Sequence, residues 1–319
     1  MKSSHITITL KIFLISLLVL SLSLSSISAN ANSNIDDLAP NVIIREFVVA
    51  EYDFTTGTET TRRVPYRDDS SNPETQQIPN GSDIIPNVYI EDDEDSYDWS
   101  FIPNVRLNNT PYRSVCSLLS GHRISAFIVG KKILMTAAHC VYNASPGTWD
   151  TEAYAMPHAP SDASDTYIRT NGTKVLKAII PMAYKSNPTV ANDWAILVVE
   201  DDVGTANGIL TFDTTTRQPN EEVVTIGYPN VGDSELENTM HESPGRITTV
   251  SYNYFRHCCD TSSGSSGSPV LKLCYVNGTP TYKVIGIHHG GHEQGQFNDA
   301  HTTDTLLVKV VNYYDSQYD

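Results

Sequence analysis

Basic side chains are scarce: Lys and Arg number 21 against 37 Asp and Glu, a formal net charge of −16 at pH 7. No basic stripe exists, and an acidic surface repels phosphate, so nothing here suits a nucleic-acid partner. Neither H-E-x-x-H nor paired C-x-x-C occurs, although His288, His289, His292 and His301 lie close in sequence. No metal and no cofactor is therefore expected. Cysteines are few, at positions 116, 140, 258, 259 and 274, and an odd number cannot all pair within one chain. Apolar runs are short. The longest, Ile12 to Leu24, is diluted by serines and falls short of the ~20 residues a spanning helix needs.

That run follows Lys2 and Lys11 and precedes Ala29-Asn30-Ala31, which fits a signal-peptidase site. Residues 1–31 read as a cleaved signal peptide, with no membrane association afterwards. Sequons at Asn80, Asn108, Asn143, Asn171 and Asn277 agree with glycosylation on a secretory route. A secreted monomer, or one held in the lumen of the secretory or lysosomal route, is expected. Residues 32–98 carry 16 acidic and 4 basic side chains, including the run Glu91-Asp92-Asp93-Glu94-Asp95. Such a segment can bury little apolar surface, and residues 32–100 are expected to be a largely disordered propeptide.

From Phe101 the texture changes to short apolar runs separated by Gly, Asn and Pro, the pattern of an all-β domain over 101–319. Ile124–Val129 and Ile133–Thr136 flank Gly130-Lys131 and predict a hairpin. Further strands are predicted at 174–180, 194–199, 223–228, 246–251, 270–275 and 282–288, with Asn277-Gly278 turning the last pair.

Three local patterns place reactive groups at strand ends. In Thr136-Ala137-Ala138-His139-Cys140, the histidine can act as general base if a hydroxyl and a carboxylate flank its ring; alone, such a histidine is more often structural. In Asn192-Asp193-Trp194-Ala195-Ile196-Leu197-Val198-Val199, an acid stands at the mouth of a strand apolar enough to be buried on both faces. A carboxylate there is costly unless paired, and an imidazole N–H both stabilises it and fixes the tautomer. In Gly264-Ser265-Ser266-Gly267-Ser268-Pro269-Val270, glycines permit a tight turn that exposes the Ser266 hydroxyl and aims the Gly264 and Ser266 N–H groups at one point. A flexible linker has the same composition, but an apolar strand follows at once.

These motifs resemble the chymotrypsin-like serine proteases, in the order His, Asp, Ser and separated by 54 and 73 residues. The resemblance implies two six-stranded antiparallel β-barrels with a short C-terminal helix and a triad between the barrels. It makes Ser266 the nucleophile, His139 the base and Asp193 its orienting partner, with protein or peptide substrates. A narrower similarity, to the bacterial glutamyl endopeptidases, rests on Asn109-Thr110-Pro111-Tyr112-Arg113, Asp260-Thr261 and Gly286-Ile287-His288-His289-Gly290-Gly291. It implies cleavage after Glu or Asp, with His288 and Thr261 recognising the side chain. A cationic or hydrogen-bonding imidazole suits a carboxylate. Asp260, six positions before the nucleophile, is the competing feature, since trypsin-like enzymes bind Lys or Arg through an aspartate there. A catalytically silent binding module is the rival from another class. The resemblance puts the partner of Cys140 near Ile124, and Cys116 is the closest cysteine to that place; Cys274 with Cys258 or Cys259 is a further candidate pair, and the dibasic Arg62-Arg63 a candidate processing site.

Overall fold

The computed structural model describes residues 43–68, 100–230, 239–291 and 297–319. The expected signal peptide, the Asn80 sequon, the acidic run at 91–95 and His292 lie outside the described residues.

Short β-branched stretches with apolar residues on both faces have few options other than central strands. Six of them build the first barrel: β3 (Val115–Ser120), β4 (His122–Ile128), β5 (Ile133–Thr136), β6 (Ala153–Pro157), β7 (Thr173–Pro181) and β8 (Ala195–Val199), preceded in the chain by β1 (Ile43–Asp53) and β2 (Thr58–Asp68). They pair in the order β8-β5-β4-β3-β6-β7, and contacts between β7 and β8 close the ring. Every residue of β8 is buried, as its unbroken apolar run requires. The predicted hairpin is present, with Phe127 opposite Met135 and Ile128 opposite Leu134.

The second barrel comprises β9 (Glu222–Gly227), β10 (His241–Val250), β11 (Tyr254–His257), β12 (Pro269–Val276), β13 (Thr279–Gly291) and β14 (Asn298–Thr302). Their order is β13-β12-β9-β10-β11-β14, closed by β13 against β14. Asn277 and Gly278 join β12 to β13 with φ of 51° and 79°. Two consecutive left-handed residues make the tight hairpin turn for which Asn-Gly is best suited. Ile226, Tyr228, Leu271, Val284 and Ile287 of this barrel belong to the same buried cluster as the first barrel's core. Helix α1 (Thr305–Tyr318) begins at Asp304, whose carboxylate accepts the Leu307 N–H at 2.7 Å. It buries Leu307, Val310, Val311 and Tyr314, one helical face.

Two expectations need correcting here, the first only for residues 43–68 of a segment expected to be largely disordered. Within the segment expected to be disordered, β1 (Ile43–Asp53) and β2 (Thr58–Asp68) form a hairpin added to the first barrel, with Val49, Ala50 and Val64 fully buried. Arg62-Arg63 therefore sits in the middle of a paired strand. The expected disulfides are also missing, and all five cysteines are free thiols. Cys116 lies on β3 and Cys140 follows β5, strands separated by β4; two steps of ~4.8 Å exceed the ~7 Å that a bridge tolerates between Cα atoms. Cys274 on β12 and Cys258-Cys259 after β11 are three steps apart.

A thiol reagent should titrate five cysteines per chain in denaturant without prior reduction, and under native conditions only the half-buried Cys258 and Cys274. Fewer than five in unreduced, denatured protein would contradict this arrangement.

Candidate active site

Each barrel contributes its part through a strand end. β5 delivers His139 in the 3-10 turn Ala138–Cys140, and Asp193 lies two residues before the start of β8. Because β5 and β8 pair, with Thr136 opposite Ala195, the two residues emerge side by side. The Asp193 Oδ2 is 2.7 Å from His139 Nδ1, and Oδ1 accepts the His139 backbone N–H at 2.9 Å. Asp193 has no exposed side-chain surface. Burial by itself would raise its carboxyl, but the charge of His139 and hydrogen bonds from His139 and His289 outweigh that and hold it far below the ordinary carboxylate range. For His139, burial disfavours the charged ring. The neighbouring Cys140 sulfur and the Asp193 carboxylate outweigh burial and raise it well above the usual histidine value.

Ser266 comes from the second barrel, in the turn leading into β12. Gly264 and Gly267 adopt φ of 93° and 82°. A Cβ on Gly264 would lie 2.5 Å from the Tyr228 carbonyl, and one on Gly267 would lie 2.0 Å from Thr136 Oγ1, so only glycine fits either place. The turn is braced from the first barrel by Ser125 on β4. Its N–H donates to the Ser266 carbonyl at 3.0 Å and its hydroxyl to the Gly264 carbonyl at 2.9 Å. Within the turn, the Ser268 N–H reaches Ser265 and the Ser265 hydroxyl accepts the Ser262 N–H. Among the described residues the N–H groups of Gly264 and Ser266 donate to no protein acceptor, which leaves both free for an oxyanion.

The Ser266 hydroxyl donates to the backbone carbonyl of His289 at 3.2 Å rather than to His139. The His289 ring in turn contacts Asp193 Oδ2 through Nδ1, and its centroid is 5.2 Å from that of His139. Asp193 thus holds His139, while Ser266 rests on the backbone carbonyl of His289, whose ring also meets Asp193 and to which the sequence reading gave no role. The signal was present: it directly follows His288 on a strand paired to the nucleophile turn, but only tertiary structure shows which carboxylate it meets. His139, Asp193 and His289 offer three ligand atoms within 4.8 Å of one another. A cation there would have to displace the hydrogen bonds that orient His139.

The predicted recognition residues divide into two groups. His288 is buried beneath the turn, where its carbonyl accepts the Gly267 N–H and its own N–H donates to the Ser268 carbonyl. Its Nδ1 is 3.3 Å from Nε2 of buried His257. Burial, then the proximity of His257 and the other histidines, lowers His288 well below the usual value, and burial lowers His257 to about 3. Of the two forms expected, cationic or hydrogen-bonding, burial therefore favours the neutral one, which can bind a carboxylate as a hydrogen-bond donor. Thr261 donates its hydroxyl to Asn298 at 2.7 Å. Asp260 borders a small cleft lined also by His241, Glu242, Ser243 and Ser265.

Residues 124–275 match the family model described as "Trypsin-like peptidase domain". A glutamyl endopeptidase of Bacillus licheniformis is 28% identical over 172 residues, covering 52% of this chain and 52% of that relative. The chain thus aligns with about half the length of that relative. A solved Glu endopeptidase in complex with MPD superposes with a TM-score of 0.60 at 20% identity, over 69% of this chain and 97% of that one. The protease Anisep from Arthrobacter nicotinovorans gives 0.50 at 18% identity, over 66% and 97%. At these identities the structural likeness establishes the fold, which is chymotrypsin-like.

A hydrogen bond to a charged group is worth about 1.5–3 kcal/mol. Urea denaturation should find His289→Ala destabilised by about that amount, and His289→Asn, which keeps an N–H at the same place, close to wild type. Equal stability of the Ala variant would show that the contact with Asp193 carries no weight.

Proposed function

We propose that this chain, of which residues 124–275 match a trypsin-like peptidase domain and whose fold is chymotrypsin-like, is a serine endopeptidase. The observation that carries this reading is the fully buried Asp193 carboxylate held against His139, with the nucleophile turn clamped beside it by Ser125. A carboxylate with no exposed surface is costly to keep, and its best-attested use is to orient and stabilise an imidazolium.

In the proposed reaction, the Ser266 hydroxyl rotates from the His289 carbonyl to His139 Nε2 and attacks the peptide carbonyl as the ring takes its proton. The Gly264 and Ser266 N–H groups receive the oxyanion. His139 then protonates the leaving amine, and water releases the acyl group from Ser266 by the same steps in reverse order. Asp193 stays ionised throughout.

The proposed preference is for Glu, or Asp, at the residue before the cut. Its support is the named activity of the Bacillus licheniformis relative, with the positions of His288 and Thr261. In the tautomer in which His257 Nε2–H donates to His288 Nδ1, His288 carries its own proton on Nε2 and offers it to a substrate carboxylate. The competing preference for Lys or Arg would use Asp260 and the cleft it shares with Glu242. The proposed route is secretory; its support is the apolar N-terminal run before Ala29-Asn30-Ala31 and the exposed sequons at Asn108, Asn143, Asn171 and Asn277.

A peptide library should show hydrolysis after Glu that is lost in Ser266→Ala and falls about 10⁴-fold in kcat in Asp193→Asn. An organophosphonate should label Ser266 in the wild type alone of the wild-type and Ser266→Ala pair. Cleavage only after Lys or Arg would transfer the specificity to Asp260, and no labelling at all would leave a binding module. The base must be neutral to act, and His139 is raised above the ordinary histidine value. The rate should therefore climb with pH through a midpoint above about 6.5. A midpoint below that would contradict the His139–Asp193 coupling.

A further inference from the structure

The β1–β2 hairpin stands where a discarded pro-segment is expected, yet its contacts are those of a structural strand. Along one edge of β7, Thr173 and Lys174 pair with β6, and Lys177–Pro181 pair with Val49–Asp53 of β1. The Phe54 N–H bridges the junction to the Leu176 carbonyl at 2.9 Å. Without β1 that edge would present open backbone groups, which proteins rarely leave uncovered.

Side chains fix the hairpin from three directions. Val49, Ala50 and Val64 are fully buried. Glu51, itself buried, takes both the Arg62 guanidinium and the hydroxyl of Tyr314 on α1; removing the hairpin would leave the buried Tyr314 hydroxyl without its acceptor. Phe47 stacks on Trp194, centroids 5.7 Å apart and 25° between planes. Trp194 is the residue next to Asp193, so the hairpin packs against the chain one residue from that carboxylate.

We propose that the Ile43–Asp68 hairpin is a permanent part of the catalytic unit: if the chain is cut on the C-terminal side of Asp68, the hairpin remains bound to the β7 edge as a separate chain by strand addition. Arg62-Arg63 is then no processing site, because a protease needs the strand to open first. The link to catalysis rests on the peptidase reading; the binding of the hairpin does not.

The test is limited proteolysis of the full chain with thermolysin, followed by native gel filtration, mass spectrometry of each fraction, organophosphonate labelling and hydrogen exchange. Every labelled species should contain residues 43–68, either covalently or as a cofractionating fragment that separates only in denaturant. The hydrogen-bonded amides of Val49–Asp53 should exchange as slowly as those of Ala195–Val199. A species lacking 43–68 that labels at the full rate would overturn the proposal, as would Val49–Asp53 amides exchanging like an unpaired peptide. If nothing labels, the exchange arm still decides the hairpin and the peptidase reading alone fails.

Discussion

Everything in the site turns on one buried carboxylate. Asp193 lies where water cannot solvate it, so it persists as an anion only because neighbouring donors replace water. Three do so: the His139 ring, the His139 backbone N–H and the His289 ring. One of these donors is the proposed base, and another sits on the strand whose carbonyl holds the proposed nucleophile. The charge therefore couples the two barrels, and a change that unseats Asp193 disturbs both halves of the machinery.

The fold makes this coupling possible. Pairing of β5 with β8 sets His139 beside Asp193, and both residues follow or precede fully buried strands with little freedom to shift. Ser125 and the close approach of Gly267 to Thr136 fasten the nucleophile turn of the second barrel to the first. The hairpin and α1 then close the outside of the first barrel. Phe47 against Trp194 carries that closure to within one residue of the anion.

Much of this was legible in the sequence because it is local. His139, Asp193 and Ser266 each sit in a strand-end pattern whose neighbours dictate the backbone, and the Asn277-Gly278 turn is set by two adjacent residues. What was illegible depends on distant contacts or on averaging. His289 meets a carboxylate 96 positions away, and His257 meets His288 across the sheet. The hairpin was hidden by composition: most of β2 is exposed and polar, and the mean charge of residues 32–98 conceals the short apolar run Phe47-Val48-Val49-Ala50. The disulfides expected by resemblance fail on strand order, which no cysteine count reveals. Likewise, the neutrality of His288 follows from burial beside a second imidazole, a property of the folded core.

The most direct measurement of the shared carboxylate is proton NMR of the imidazole N–H groups. In the wild type, the Nδ1 protons of His139 and His289, both bonded to Asp193, should give two resonances downfield of the amide envelope, and both should vanish in Asp193→Ala. If those resonances were absent from the folded wild type, or survived the loss of Asp193, the two imidazoles would not be sharing this anion.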